Sequence, residues 1–275
     1  MKVGLVAQRD NSRAVEVADA IRGALVNDGV DCRLDTATAS SLDLPTDGTT
    51  VERLATCDLV VSIGGDGTFL FAARAAGDTP MIGVNLGEVG FLNAVAPDNA
   101  VDAVRDTVSA IQRGDHTVRE APRLTARAAG FESVPAVNEI VVSGPRRGHG
   151  GGATFEVEIE GSTYSSGHAD GVMVATQTGS TAYNLSEGGP LVHPGVDGLV
   201  VTEMCGVEEM PPLVIDDESA VTIAVRDAPH AVVVSDGRNP HEVDLPVAVT
   251  VSQADTPVRL AGPTADFFDA LGKLS

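Results

Sequence analysis

The stretch Ser62-Ile63-Gly64-Gly65-Asp66-Gly67-Thr68 follows the apolar run Leu59-Val60-Val61 and precedes Phe69-Leu70-Phe71-Ala72-Ala73, a pattern of strand, glycine-rich turn and helix. Glycine tolerates positive φ, so the turn is expected to aim successive N–H groups at one anion beside a helix N-terminus, and phosphate suits that arrangement. A carboxylate inside such a turn is unfavourable unless it has a task, and taking the proton from a hydroxyl that attacks phosphorus is one. Asp66 is therefore the first catalytic candidate. A strand-to-helix turn with a polar tip explains the same residues without chemistry, and a lone glycine-rich loop is more often that.

A second constellation lies further on, where Asp170-Gly171 precedes Ala175-Thr176-Gln177-Thr178-Gly179-Ser180-Thr181-Ala182-Tyr183 and then Ser186-Glu187-Gly188-Gly189-Pro190. Short hydroxyls and one aromatic ring offer donors, acceptors and a flat face to a nucleotide or polyhydroxylated ligand. Turn and capping chemistry accounts for the same composition. The chain has no GxxxxGK[ST] element, and its lysines are Lys2 and Lys273, neither placed to bridge phosphates. Charge on a transferred phosphoryl group must then be met by Mg²⁺, backbone N–H groups and arginines. No HExxH or Cys/His cluster suggests a tightly held metal, so Mg²⁺ is expected to arrive with the nucleotide, keeping several waters. His116, His149, His193, His230 and His241 are scattered and read as structural or exposed.

Positioning these residues calls for an α/β amino-terminal region. Residues 2–7 read as a buried parallel strand, and Ala14, Val17, Ala18, Ile21 and Leu25 recur at helical spacing as far as Gly29, a suitable stop. Residues 30–34 give a second strand, the polar stretch around Pro45 and Gly48 a loop, and 51–55 a short helix. Residues 81–86 give another strand, and Val101, Val104, Val108 and Ile111 mark a helix between Asp98 and Gly114. Ligands of such sheets bind at the carboxyl ends of the strands, where Gly64 to Gly67 and Asn85-Leu86-Gly87-Glu88 would fall. Beyond His116 come β-rich runs at 153–160, 172–175, 221–225, 231–234 and 243–252, separated by Gly, Pro and Asp. The expected architecture is thus a Rossmann-like parallel-sheet α/β domain over residues 1–115 and a β-rich, β-sandwich-like domain over 116–262. Residues 146–152, with four glycines, read as a mobile hairpin loop, and 265–274 as a helix.

The chain has 275 residues, 43% of them hydrophobic, enough for one large domain or two modest ones. Its 18 Lys and Arg against 39 Asp and Glu give a net charge of −21, which argues against nucleic-acid and anionic-membrane partners and fits a halophile's dispersed acidic surface. No apolar run approaches the roughly 18 residues of a membrane span, and no signal pattern opens the chain. A cytoplasmic protein is expected, with Cys32, Cys57 and Cys205 as free thiols.

Taken with Asn85-Leu86-Gly87-Glu88-Val89-Gly90-Phe91-Leu92 and Asn138-Glu139, the two glycine-rich elements resemble the NAD kinase family in order and spacing over most of the chain. Thr178-Gly179-Ser180-Thr181-Ala182-Tyr183 is the specific element, because lipid kinases and phosphofructokinases carry versions of the Gly64 to Thr68 turn. The resemblance implies Mg²⁺-dependent transfer of a phosphoryl group from ATP or polyphosphate to the adenosine 2′-hydroxyl of NAD. It also implies a homodimer or homotetramer, sites between domains, and a carboxyl-terminal helix over 263–275 that returns to the first domain. By position, Asp66 resembles the base, and Gly65, Gly67 and Thr68 the phosphate-holding turn. Asn138 and Glu139 resemble the ribose and amide contacts. Asp170, Thr178, Ser180, Thr181, Ala182, Tyr183 and Ser186 resemble the wall around the bases, and Asp236, before Gly237, a later element near the nucleotide. Three departures stand out: Gln177 where the family has proline, His168 where it often has arginine, which implies a titratable nucleotide contact in place of a permanent charge, and residues 201–213 in place of a Pro-His stretch. These keep a non-catalytic NAD(P) sensor open as an alternative, beside a lipid kinase.

Overall fold

The computed structural model describes residues 1–87, 91–148, 150–207 and 210–272. They form two compact units, Met1–Ala121 with the chain from Thr256 onward, and Pro122–Asp255.

In the first unit, β1 (Lys2–Ala7), β2 (Asp31–Asp35), β3 (Gly48–Thr49), β4 (Leu59–Gly64), β5 (Met81–Asn85) and β6 (Val118–Ala121) share one sheet with Val258–Ala261. The order is β3-β2-β1-β4-β5, then Val258–Ala261, then β6. β1 to β5 pair in parallel, with Leu5 opposite both Leu34 and Val61, whereas β6 runs antiparallel to Val258–Ala261. Every residue of β4 is buried, the signature of a parallel strand covered by helices. Those helices are α1 (Ser12–Asn27), α2 (Thr36–Ser41), α3 (Asp66–Ala76) and α4 (Ala100–Arg113). Asn11 caps α1 by accepting the N–H groups of Arg13 and Ala14, and Ala14, Ala18, Ile21 and Leu25 form its buried stripe. Burying side chains such as Ile21 and Leu25 stabilises the unit by about 1.5–3 kcal/mol each. α4 stops where Gly114 takes a left-handed conformation, φ 74°.

Several expectations change here. α2 replaces part of the expected loop: its sequence TATASS has no apolar period, and the signal is the Asp35 side chain, which accepts from the N–H groups of Ala37 and Thr38. The short helix expected over residues 51–55 is a 3₁₀ helix, Val51–Thr56. Residues 118–121 and 258–261 belong to the first unit, not to a second domain over 116–262, because their backbones pair with each other and with β5. The helix near the carboxyl end is Phe267–Leu271, capped by the Asp266 side chain, and the Phe267 ring lies 5.8 Å from that of Phe91. Glu88, Val89, Gly90, His149 and Lys273 lie outside the described residues.

The second unit holds two six-stranded sheets whose strands pair antiparallel. One contains Ala153–Ile159, Val221–Arg226 and Val247–Gln253, the other Glu139–Ser143, Gly171–Thr176, Leu199–Met204 and His230–Ser235. Phe155, Val157, Ile223 and Val249 of the first sheet meet Ile140, Val142, Val172, Val174 and Val201 of the second in one core, a β-sandwich. The opposite face of the second sheet is also covered, since Val141, Met173, Ala175 and Val200 cluster with Val192 and Tyr183. That is why Gly171–Thr176 is buried at every position whereas Ala153–Ile159 alternates. The run 243–252 is broken at Leu245-Pro246, and its two parts, Arg238–Asp244 and Val247–Gln253, join different sheets. Residues 146–152 form no hairpin either, because the flanking strands Glu139–Ser143 and Ala153–Ile159 also belong to different sheets. Among the described residues no helix is long and apolar enough to cross a membrane.

Candidate functional site

In the first unit, Asp66 opens α3 at the carboxyl end of β4, with Gly65 as the preceding cap residue at φ −88°. The expected run of positive φ is absent: Gly65 and Gly67 do not have it, and Gly67 lies in the first helical turn. Gly64 is required by packing, since a Cβ there would stand 2.5 Å from Thr68 Oγ1 and 2.9 Å from Gln8 Cβ. Gly65 and Gly67 are not required in that way, because a Cβ on either would meet nothing within 4 Å. The two glycines keep open space at a helix N-terminus, where free N–H groups and the helix dipole favour an anion.

The Asp66 carboxylate is half-buried and turned toward the chain after β5. It accepts hydrogen bonds from the backbone N–H groups of Phe91 and Leu92 and from Asn93 Nδ2, the last at 3.2 Å. Burial raises its pKa above the ordinary carboxylate value, and these three donors oppose the rise. The neighbouring strand end is tied in by Leu86 N–H, which donates to the Gly64 carbonyl at 3.1 Å, and by Gly87 N–H, which donates to Asn85 Oδ1 at 2.9 Å. Asn93 was not foreseen from the sequence, because nothing in its local pattern marks it.

In the second unit, Asn138 and Glu139 enter a strand whose backbone is gripped by Asp236. The Asp236 carboxylate accepts from the N–H groups of Val137, Asn138 and Glu139 at 3.1, 2.8 and 3.4 Å, while Asp236 N–H donates to the Glu139 carbonyl at 3.0 Å. Asp236 thus braces the pair from a left-handed backbone conformation, φ 47°. Glu139 is 4% exposed, and burial first, then the Asp236 charge, pushes its carboxyl up to about 8. It therefore holds a proton at neutral pH, and its Oε2 meets no partner among the described residues. A buried, unpartnered carboxyl oxygen is unfavourable for the folded chain alone.

Glu139 also sets a stability test. Between 4.5 and about 8 the folded chain holds a proton that the unfolded chain has released, so stability falls as pH rises through that window and levels off above it. Glu139→Gln should remove this slope, and melting temperatures of the two proteins should diverge steadily from pH 5 to 8. Parallel curves would mean that Glu139 ionises normally.

The hydroxyl-rich segment is organised around Thr176, another residue the sequence did not single out. Thr176 Oγ1 donates to the Val137 carbonyl at 2.7 Å and accepts from Gly179 N–H at 3.0 Å, and Thr176 N–H donates to the Asn138 carbonyl at 2.9 Å. Gly179 allows this approach, since a Cβ there would stand 2.0 Å from the Asn138 carbonyl oxygen. Ser180, expected to face a ligand, is fully buried: its hydroxyl donates to the Gln177 carbonyl and accepts from Val192 N–H. Thr178, Thr181, Ala182 and Tyr183 are half-buried and Ser186 is exposed, so these remain available to a ligand. Tyr183 Oη accepts from Arg147 Nη1 at 2.8 Å, and the guanidinium lies 5.9 Å from the ring centroid.

His168 and Asp170 both meet the glycine-rich loop. His168 Nε2 lies 2.9 Å from the Gly151 carbonyl, and the Asp170 carboxylate accepts Gly148 N–H at 2.8 and 3.0 Å. Both therefore fasten the glycine-rich loop, whose Gly148, Gly150 and Gly152 have φ of 80°, 75° and 82°. Those glycines serve a fixed backbone path.

Residues 3–110 match the ATP-NAD kinase N-terminal domain model and residues 137–262 the ATP-NAD kinase C-terminal domain model. NAD kinases of Halorubrum lacusprofundi and Haloarcula marismortui are 58% and 54% identical to the chain, each alignment covering 100% of both sequences. The crystal structure of an Archaeoglobus fulgidus NAD kinase in complex with ATP superposes with a TM-score of 0.80 at 25% identity, over 100% of this chain and 98% of that one. Yeast NADH kinase complexed with NADH, at 21% identity, shares the fold with a TM-score of 0.85, over 100% and 87%. With both domain models matched and close relatives aligned end to end, the chain belongs to the NAD kinase family.

Proposed function

We propose that the chain transfers the terminal phosphoryl group of ATP or polyphosphate to the adenosine 2′-hydroxyl of NAD, giving NADP. The observation that carries the chemistry is Asp66, a half-buried carboxylate held by three donors beside two glycines whose missing side chains nothing in the fold demands. The 2′-oxygen forms its bond to phosphorus as the bond to the donor's bridging oxygen breaks. The hydroxyl proton passes to Asp66, and the N–H groups at the start of α3 hold the phosphates. In the second unit, Asn138, protonated Glu139 and the exposed parts of Thr178, Thr181, Ala182, Tyr183 and Ser186 bind and orient NAD. Among the described residues no three His, Cys, Asp or Glu side chains come together as a metal cage. The open space at Gly65 and Gly67 suits a metal–phosphate complex, so Mg²⁺ is proposed to enter on the donor and neutralise phosphate charge. Incubating the protein with ATP or polyphosphate, Mg²⁺ and NAD, then assaying NADP, tests the reading; no NADP with either donor would sink it.

The glycines give a sharper test. Gly65→Ala should leave the melting temperature unchanged, because its Cβ meets no atom, yet raise KM for the donor on the order of tenfold, the loss of about one hydrogen bond to a charged group. Gly64→Ala should instead lower the melting temperature, since its Cβ strikes Thr68 and Gln8. Equal donor KM in the Gly65 variant and the parent would remove phosphate from that space.

The same reading makes the protein a cytoplasmic homo-oligomer. Free Cys32, Cys57 and Cys205 suit a reducing compartment. Val207, 77% exposed, stands with Met210 and Val214 as apolar side chains in the second unit that a neighbouring copy would cover. Sedimentation at molar KCl distinguishes dimer or tetramer from monomer.

A further inference from the structure

We infer that Asn93 is a positioning residue for the base and that Gly83 is glycine in order to admit it. The inference rests on Asp66 acting as proton acceptor. Asn93 is 2% exposed, and its Nδ2 donates to Asp66 Oδ1 at 3.2 Å. The other end of the amide, Oδ1, is buried without a hydrogen-bond partner among the described residues. An apolar side chain would avoid that orphaned acceptor, so stability alone gives no reason for an amide here.

The backbone is shaped around the same contact. Residues 93–95 lie beside β5 and bridge it in parallel at Val84, with Asn85 N–H donating to the Val95 carbonyl at 2.8 Å and Val95 N–H to the Gly83 carbonyl at 3.1 Å. This lays Asn93 directly on Gly83, where a Cβ would stand 2.1 Å from Asn93 Oδ1 and 2.8 Å from its Cα. Any larger residue at position 83 must displace the amide and with it the donor to Asp66.

A carboxylate that is to accept a proton must be ionised and must point one way, and a charge-assisted hydrogen bond from a fixed amide secures both. Within this unit α3 packs against β1, β4, β5 and residues 51–56. Their charged groups are Lys2, Glu52 and Arg53, with Arg74 on α3 itself, and none of them contributes to the titration of Asp66, which burial and the three donors set. Removing the Asn93 donor therefore disfavours the ionised form, and none of Lys2, Arg53 and Arg74 contributes to compensate.

The test is the pH profile of turnover, measured as NADP formation at saturating NAD and ATP–Mg²⁺ in molar KCl. Asn93→Leu should move the acidic limb to higher pH, with turnover down on the order of tenfold on the acid side, the worth of one hydrogen bond to a charged group. Activity should recover toward the parent's on the alkaline plateau, and KM for NAD should be unchanged. Gly83→Ala, whose three nearest atoms all belong to Asn93, should shift the limb in the same direction. In the double variant the two shifts should not add, because both act through one contact. Should Asn93→Leu fail to fold, the Gly83→Ala profile decides alone. A limb that stays in place while Asp66→Asn abolishes turnover would overturn the positioning role and leave the base intact. Full turnover in Asp66→Asn would instead remove the base reading itself.

Discussion

Asp66→Asn is expected to lower turnover by about 10²–10⁴-fold, the usual worth of general-base assistance, with NAD affinity close to that of the parent. The substitution preserves shape. An asparagine Oδ1 can still accept from Phe91 and Leu92, the two backbone donors that hold the carboxylate, so the turn should keep its path and the phosphate space beside Gly65 should stay open. What disappears is the group that takes the 2′-hydroxyl proton. The parent's pH profile carries a second signature. Because burial raises the Asp66 pKa, turnover should decline as pH falls through that raised value, and the residual activity of the variant should lack this limb. Steady-state rates of NADP formation across pH, with NAD binding measured separately, check both points. Unchanged turnover would make Asp66 a loop-orienting residue and leave positioning and Mg²⁺ to carry the reaction. Intact turnover with lost affinity would make it a ribose anchor.

Much of this site was readable because its signals are local. The buried run Leu59–Gly64, three glycines within four residues and the apolar start of α3 lie side by side in the sequence, and strand, turn and helix follow from period and composition. The reason for the glycines was not readable. Positive φ was the natural expectation, yet Gly64 is small because Thr68 and Gln8 press on it, whereas a Cβ at Gly65 or Gly67 would meet no atom of the chain within 4 Å. Contacts made across the fold were not legible, even where, as at Asp236, the residue itself was named through the family resemblance. Asn93 reaches Asp66 over 27 positions, and Asp236 braces Asn138 over 98. Ser180 shows the converse limit: composition placed it with its exposed neighbours, but the short helical turn Gly179–Thr181 directs its hydroxyl inward to Val192. α2 was missed because six small residues, four of them polar, carry no hydrophobic period, leaving a single capping carboxylate, Asp35, as the clue. β6 and Val258–Ala261 were assigned to the wrong unit because a strand's sequence does not name the sheet edge it joins.

The fold itself should require molar salt. Thirty-nine carboxylates face 18 Lys and Arg, and among the described residues ion pairs such as Arg105 with Asp28 and Arg127 with Glu132 are exposed. Pairs of that kind contribute little, roughly 0–1 kcal/mol each, so they cannot offset the mutual repulsion of a chain at −21. At 0.01 M salt the screening length is about 30 Å, long enough for charges across a whole unit to repel; at 1 M it is about 3 Å, and only neighbours interact. Melting temperature should therefore climb with KCl. For a chain of this size each kcal/mol recovered is worth roughly 2–4 °C, so removing about 5 kcal/mol of repulsion would raise the melt by roughly 10–20 °C. The shape of the curve identifies the cause. Screening saturates once the screening length falls below the spacing of the charges, whereas strengthened apolar burial by excluded salt keeps growing with concentration. A steep rise that levels off near molar KCl is the expected result, and a melting temperature that stays flat or falls across the series would rule it out.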